Sequence, residues 1–132
     1  MTPSTPSAPS SAHATLAMTT IDCADPEREA RFWAAALGWD VAHADGDYGM
    51  VVNGSQRLGF GRVEGWQAPE WPNPSGTKQF HLDLAVDDLA TAEAALAELG
   101  ATRAEPQPST DWVVLRDPDG HPFCLTRAAN WG

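Results

Sequence analysis

The sequence predicts an α+β fold made of two tandem βαβββ modules, and three observations carry that prediction. Two helical signals share the same cap and stop residues, each follows an extended segment, and each precedes a run of short strands broken by turn signals. The spacing marks a repeat: Asp25 and Asp88 lie 63 positions apart, and Leu37-Gly38 precedes Leu99-Gly100 by 62.

The helices are the clearest elements. Asp25-Pro26 places an N-cap before a proline at the first helical position, Ala30, Trp33, Ala36 and Leu37 recur at helical spacing beside Phe32, and Gly38 stops the helix. In the second copy Asp88 is the cap, Leu89, Ala92, Leu96 and Leu99 form the stripe, and Gly100 ends it. The segment before the first helix runs from Leu16 to Cys23. Its counterpart, Phe80 to Val86, alternates strictly, with Phe80, Leu82, Leu84 and Val86 on one face and His81, Asp83 and Ala85 on the other. After the first helix come Asp40–His43, Tyr48–Val52, the Asn53-Gly54 turn and Arg57–Val63. After the second come Ala101–Ala104, a proline-rich link at Pro106–Pro108, Trp112–Leu115, the Asp117-Pro118-Asp119-Gly120 turn and Phe123–Thr126.

These signals divide the chain into modules at residues 16–63 and 78–127, a connection at 64–77, and tails at 1–15 and 128–132. One helix over one small sheet buries little, so the modules are expected to pack as a pair. The connection carries Trp66 and Trp71 with three prolines and two glycines, too aromatic for a solvated linker, and is expected to fold back over the mouth of one sheet. Met1–Thr15 is Ser, Thr, Pro and Ala with almost nothing to bury, and reads as a disordered tail. It lacks the pattern of a signal peptide, and Met18 is an alternative start.

Eighteen acidic against eight basic residues give a formal charge of −10, which opposes binding to phosphate backbones or anionic membranes. No apolar run approaches the ~20 residues that span a bilayer. Cys23 and Cys124 are too few for a disulfide framework and read as free thiols of a cytoplasmic protein.

The doubled unit, with Leu-Gly closing each helix and Asp-Pro-Asp-Gly before the last strand, resembles the vicinal-oxygen-chelate (glyoxalase/bleomycin resistance/dioxygenase) superfamily. Ile21-Asp22-Cys23-Ala24-Asp25-Pro26, Phe32-Trp33 and Leu37-Gly38-Trp39 are similar to the first half of actinobacterial glyoxalase-like proteins. His81-Leu82-Asp83-Leu84, Val86-Asp87-Asp88-Leu89, Asp117–Gly120 and Phe123-Cys124-Leu125 are similar to the second half. The resemblance, over residues 16–127, implies a glyoxalase/dihydroxybiphenyl dioxygenase-like fold: mixed sheets curled around a shared cup, with a small-molecule guest inside and a homodimer as the assembly. In metal-dependent relatives of this kind each module gives one ligand from its first strand and one from its last. Carried over by position, these slots hold Met18, Gly59, His81 and Cys124.

That set is incomplete for a divalent ion: one imidazole, one thiol, a thioether and a bare glycine. No cofactor is therefore expected, with His81 the weak candidate ligand, Asp83 able to contribute from the same face, and His43, His121 and Asp22 in reserve. His81 and Asp83 are the candidate catalytic pair, an imidazole oriented by a carboxylate; the plainer reading is a hydrogen-bonded structural pair. Cys124 reads first as a small packing residue and only then as a nucleophile. Trp66, Trp71 and Trp112 are candidate walls for an aromatic guest. Gly59 and Gly61 leave space on one strand where side chains would project, a sign of a cavity. His121 is expected to face solvent.

Two functions follow as expectations. The first is a metal-free binding or resistance-type protein whose cup is lined by Met18, Gly59, Gly61, Trp66, Trp71, His81, Asp83, Trp112 and Cys124. The second is a lyase, isomerase or dioxygenase-type enzyme using a metal or the His81/Asp83 pair.

Overall fold

The computed structural model describes residues 13–77 and 79–131. The expectation for Met1–Thr15 therefore lies largely outside the described residues. The first module contains β1 (Thr19–Cys23), α1 (Pro26–Leu37), β2 (Asp40–Ala44), β3 (Tyr48–Asn53) and β4 (Gln56–Arg62), with sheet order β1-β4-β3-β2. The second contains β5 (Leu82–Val86), α2 (Leu89–Leu99), β6 (Thr102–Arg103), β7 (Val113–Arg116) and β8 (Pro122–Arg127), in order β5-β8-β7-β6. In both, the strand before the helix pairs parallel with the last strand and the remaining pairs are antiparallel. The α+β repeat is thus present, and its sheets stay open rather than closing into barrels.

The caps behave as the sequence dictates. Asp25 accepts from the Arg28 amide at 3.1 Å and Asp88 from the Thr91 amide at 2.9 Å, while Gly38 (φ 70°) and Gly100 (φ 120°) adopt the positive φ that only glycine enters without strain. Strand ends differ from expectation. β1 begins at Thr19, opposite Leu58, later than the Leu16 expected from the sequence. β5 begins at Leu82, opposite Phe123, since Pro122 has no N–H for the residue before it. Phe80, expected on the buried face, is 88% exposed. Leu99 is also largely exposed, because α2 ends there and Gly100 leads the chain toward β6. The segment after β8 is a 3-10 turn, Ala128–Trp131, anchored by the Trp131 indole on Thr126.

One core runs through both modules. Phe32 and Trp33 of α1 meet Phe123 of β8 edge-on at centroid distances of 6.1 and 4.9 Å, and Leu58, Phe60, Leu96, Leu115 and Leu125 continue the cluster. The Asp117–Gly120 turn of the second module inserts against the start of α1. The Asp119 carboxylate accepts from the amides of Ala24 and Asp25, each at 2.9 Å, and pairs with Arg28. Asp117 accepts from the Trp33 indole at 3.2 Å and from the amides of Asp119 and His121 in its own turn. Glu29 is buried beside them with both carboxyl oxygens lacking a well-formed hydrogen bond. Burial, and then the neighbouring Asp117 and Asp119, push its carboxyl far above the ordinary range, so it is neutral at physiological pH.

The 64–77 connection folds back over the second module. Trp66 donates to the Asp119 carbonyl at 3.2 Å, Trp71 donates to the Pro106 carbonyl at 2.9 Å, and Arg116 reaches the Pro69 carbonyl. Gly120 (φ 95°) lies so close to Ala68 that a Cβ there would sit 2.8 Å from the alanine methyl, which fixes the connection against the turn.

Candidate functional site

Two features face away from the core, one on each side of the module seam. On the second sheet, Asp83 and Cys124 are register partners of the parallel β5–β8 pair, and His81 lies two residues before Asp83 on the same face. His81 Nε2 is 3.4 Å from Asp83 Oδ1, and the donor atoms of His81, Asp83 and Cys124 all fall within 4.8 Å of one another. The His81 and Asp83 side chains are 37% and 41% exposed, whereas Cys124 is nearly buried beside Trp71, Val114 and Ala104.

On the first sheet the corresponding positions hold Met18 and Gly59, and they touch. A Cβ built on Gly59 would come within 2.8 Å of Met18 Sδ and 3.1 Å of Thr20 Oγ1. The space expected at Gly59 is therefore filled by the Met18 thioether, and that at Gly61 borders Thr20. These positions give the first sheet no nitrogen or oxygen donor, so an ion held jointly by all four slots does not fit this chain.

The cavity lies elsewhere. A cleft of about 400 Å³ runs along the seam between β1 and the residues leading into β5. Thr20 and Asp22 form its first-module side, His81 and Leu82 its second, Trp33 and Phe123 part of its apolar wall, and Trp66 belongs to the connection that borders it. The Trp66 ring packs on His121 at a centroid distance of 4.7 Å, and His121 Nε2 lies 2.6 Å from the Asp22 carbonyl. His121, expected in solvent, is thus a half-buried wall residue, because the Asp117–Gly120 turn it follows is drawn onto the first module. Among the residues anticipated for the site, His81 and Trp66 line this cleft. Trp71 covers Cys124 instead, and Trp112 borders a separate surface groove with Arg103 and Arg127. Asp22 and His121, named from the sequence only as reserve ligands, also line it, as does Trp33, which the sequence placed on the core stripe of the first helix. Nothing local in the sequence joins the Asp22 and His121 segments, which lie 99 positions apart.

The sequence pattern of the glyoxalase-like domain family matches residues 18–126, from Met18 into β8. This chain belongs to that family. The glyoxalase-like domain also superposes on a glyoxalase/bleomycin resistance protein/dioxygenase family enzyme from Burkholderia phytofirmans PsJN, with 18% identity, TM-score 0.64, and 87% of this chain and 99% of that chain covered. A glyoxalase-related enzyme from Fulvimarina pelagi gives 19% identity and TM-score 0.61 over 84% of this chain and 86% of that one. The bleomycin-binding protein of bleomycin-producing Streptomyces verticillus, in complex with copper(II)-bleomycin, gives 19% identity and TM-score 0.54 over 88% and 98%. At such identities the likeness concerns the fold. No curated protein sequence matches this chain. Among the described residues no helix is long and apolar enough to cross a membrane.

Proposed function

We propose that this glyoxalase-like domain is a small-molecule binding protein, of sequestering or resistance type, that seats a flat and largely apolar guest in the seam cleft. The observation that carries the reading is the cleft itself: about 400 Å³, mostly apolar, bordered by both modules and by the Trp66–His121 pair. A volume of that order suits a small organic molecule. Trp66 offers an indole face whose N–H is already satisfied by the Asp119 carbonyl, so stacking a guest on it leaves no donor unpaired. Recognition in this reading rests on the walls and requires no ion. Binding of bleomycin by a protein of the same fold supports a guest-holding role without naming this chain's guest. The reading also takes the protein to be cytoplasmic and a homodimer. It takes neither nucleic acid nor an anionic membrane as a partner, a reading that the formal charge of −10 supports.

The test is a fluorescence and thermal-shift screen of aromatic and heteroaromatic compounds on chelator-treated protein. Hits are expected to weaken about tenfold in Trp66→Ala, the order of one stacked ring. Absence of binders across a broad library, or hits indifferent to Trp66→Ala, would remove the reading.

A second reading, an enzyme of the same family, is favoured by one observation: His81 and Asp83 share a face at 3.4 Å and His81 also borders the cleft. In this reading His81 takes or delivers a proton at a guest atom while Asp83 holds its ring. Turnover abolished by His81→Gln with guest affinity retained would favour it over simple binding.

A further inference from the structure

The disagreement between the family's two-module ligand positions and this chain's donors leads to a different site. We propose that the second module alone binds one thiophilic divalent cation, zinc or cobalt in type, through His81, Asp83 and Cys124, with no contribution from the first module.

Strand register supplies the geometry. Asp83 and Cys124 are direct partners across β5 and β8, and His81 follows the same face one pleat earlier. One imidazole nitrogen, one carboxylate oxygen and one sulfur therefore converge within 4.8 Å. Nitrogen and oxygen ligands at about 2.0–2.1 Å on a tetrahedral ion stand roughly 3.4 Å apart. The His81–Asp83 separation is 3.4 Å, so this edge of the tetrahedron already has its length. The sulfur, which would bind at about 2.3 Å, lies within 4.8 Å of both other donors.

Chemistry selects the ion. Thiolate and imidazole favour zinc-like metals, and a single carboxylate is a poor basis for magnesium, calcium or manganese. Three protein ligands are what an open zinc site requires, and Asp83, outside the four positions carried over from the resemblance, makes up the number. Met18 and Gly59 are occupied with each other and present no comparable donor. Because His81 also borders the cleft, ion and guest would share one residue, while the guest reading above stands or falls on Trp66 independently.

The experiment is titration of the untagged, chelator-stripped full-length chain with cobalt(II), reading thiolate-to-cobalt absorption in the near ultraviolet, followed by zinc displacement. One equivalent is expected, with the thiolate band present, displaced by zinc and unaffected by excess magnesium. Cys124→Ser should abolish the band, and His81→Ala and Asp83→Asn should each weaken binding at least about tenfold. Cys23→Ser and Met18→Ala should leave it unchanged. Circular dichroism of each variant separates lost binding from lost fold. No thiolate band in the folded wild type, or a band that survives Cys124→Ser, overturns the proposal. A loss on Met18→Ala equal to that on His81→Ala would place the ion between the sheets and overturn it equally.

Discussion

The two modules share one topology and differ in what equivalent positions carry. At the first- and last-strand positions facing away from the core, the first sheet has Met18 packed into the space over Gly59, and the second has His81 and Cys124 with Asp83 between them. The turns before the last strands differ as sharply. Asn53-Gly54 is an exposed hairpin turn, whereas Asp117–Gly120 is drawn into the other module, with Asp117 and Asp119 buried. The repeat is thus kept where it sets register and packing. The grouped donors His81, Asp83 and Cys124 and the buried turn carboxylates Asp117 and Asp119 all belong to the second copy.

That asymmetry can be broken first at the turns. Asp119→Ala removes the acceptor for two amides and for Arg28, and is expected to lower unfolding stability by about 3 kcal/mol in urea titration. Asn53→Ala, in the equivalent turn of the first module, should cost less than about 1 kcal/mol. Equal losses would show that the two turns do the same work.

The thiols sharpen the contrast next. Cys23 is fully buried, and burial together with Glu29, Asp119, Asp117 and Asp25 raises its thiol to about 12. Alkylation of the native protein at pH 8, mapped by mass spectrometry, should modify Cys124 at least about tenfold faster than Cys23.

Glu29 tests the seam through pH. Its carboxyl is raised above the unfolded value, so the folded state retains a proton the unfolded state has lost. Its contribution is full below the ordinary carboxylate range and declines as pH rises toward the raised value. Between pH 6 and 9 the urea midpoint of the wild type should fall more steeply than that of Glu29→Gln. Parallel curves would mean that Glu29 titrates normally. The smallest effect is expected at Gly59. Gly59→Ala must displace the flexible end of Met18, costing about 1 kcal/mol or less, and Met18→Ala in the same chain should recover most of it.

What could be read from the sequence was local. Caps, stripes and alternation recur within a few residues, so Asp25, Asp88, Gly38 and Gly100 announced both helices, and His81 and Asp83 announced one face. Strand ends were less visible because they depend on a partner, as Pro122 decides where β5 begins. Glu29 was legible in principle, since Pro26, Glu29, Ala30 and Trp33 form one helical stripe, but a carboxyl on an apolar stripe needs the opposing turn to explain it. The cleft was not legible. It depends on Asp22 meeting His121 and on Ala24 meeting Asp119, pairs separated by 99 and 95 positions with no shared period.

Trp33 contributes to the cleft wall and also stands at the centre of the aromatic cluster joining the modules, tied to Asp117 by its indole. One wall of the site therefore cannot be recut without loosening the whole molecule. Thr77, Gln79 and Phe80 border the same cleft from exposed positions. The scaffold thus has a fixed floor and an editable rim, and a library confined to that rim could change the proposed guest while leaving the fold alone.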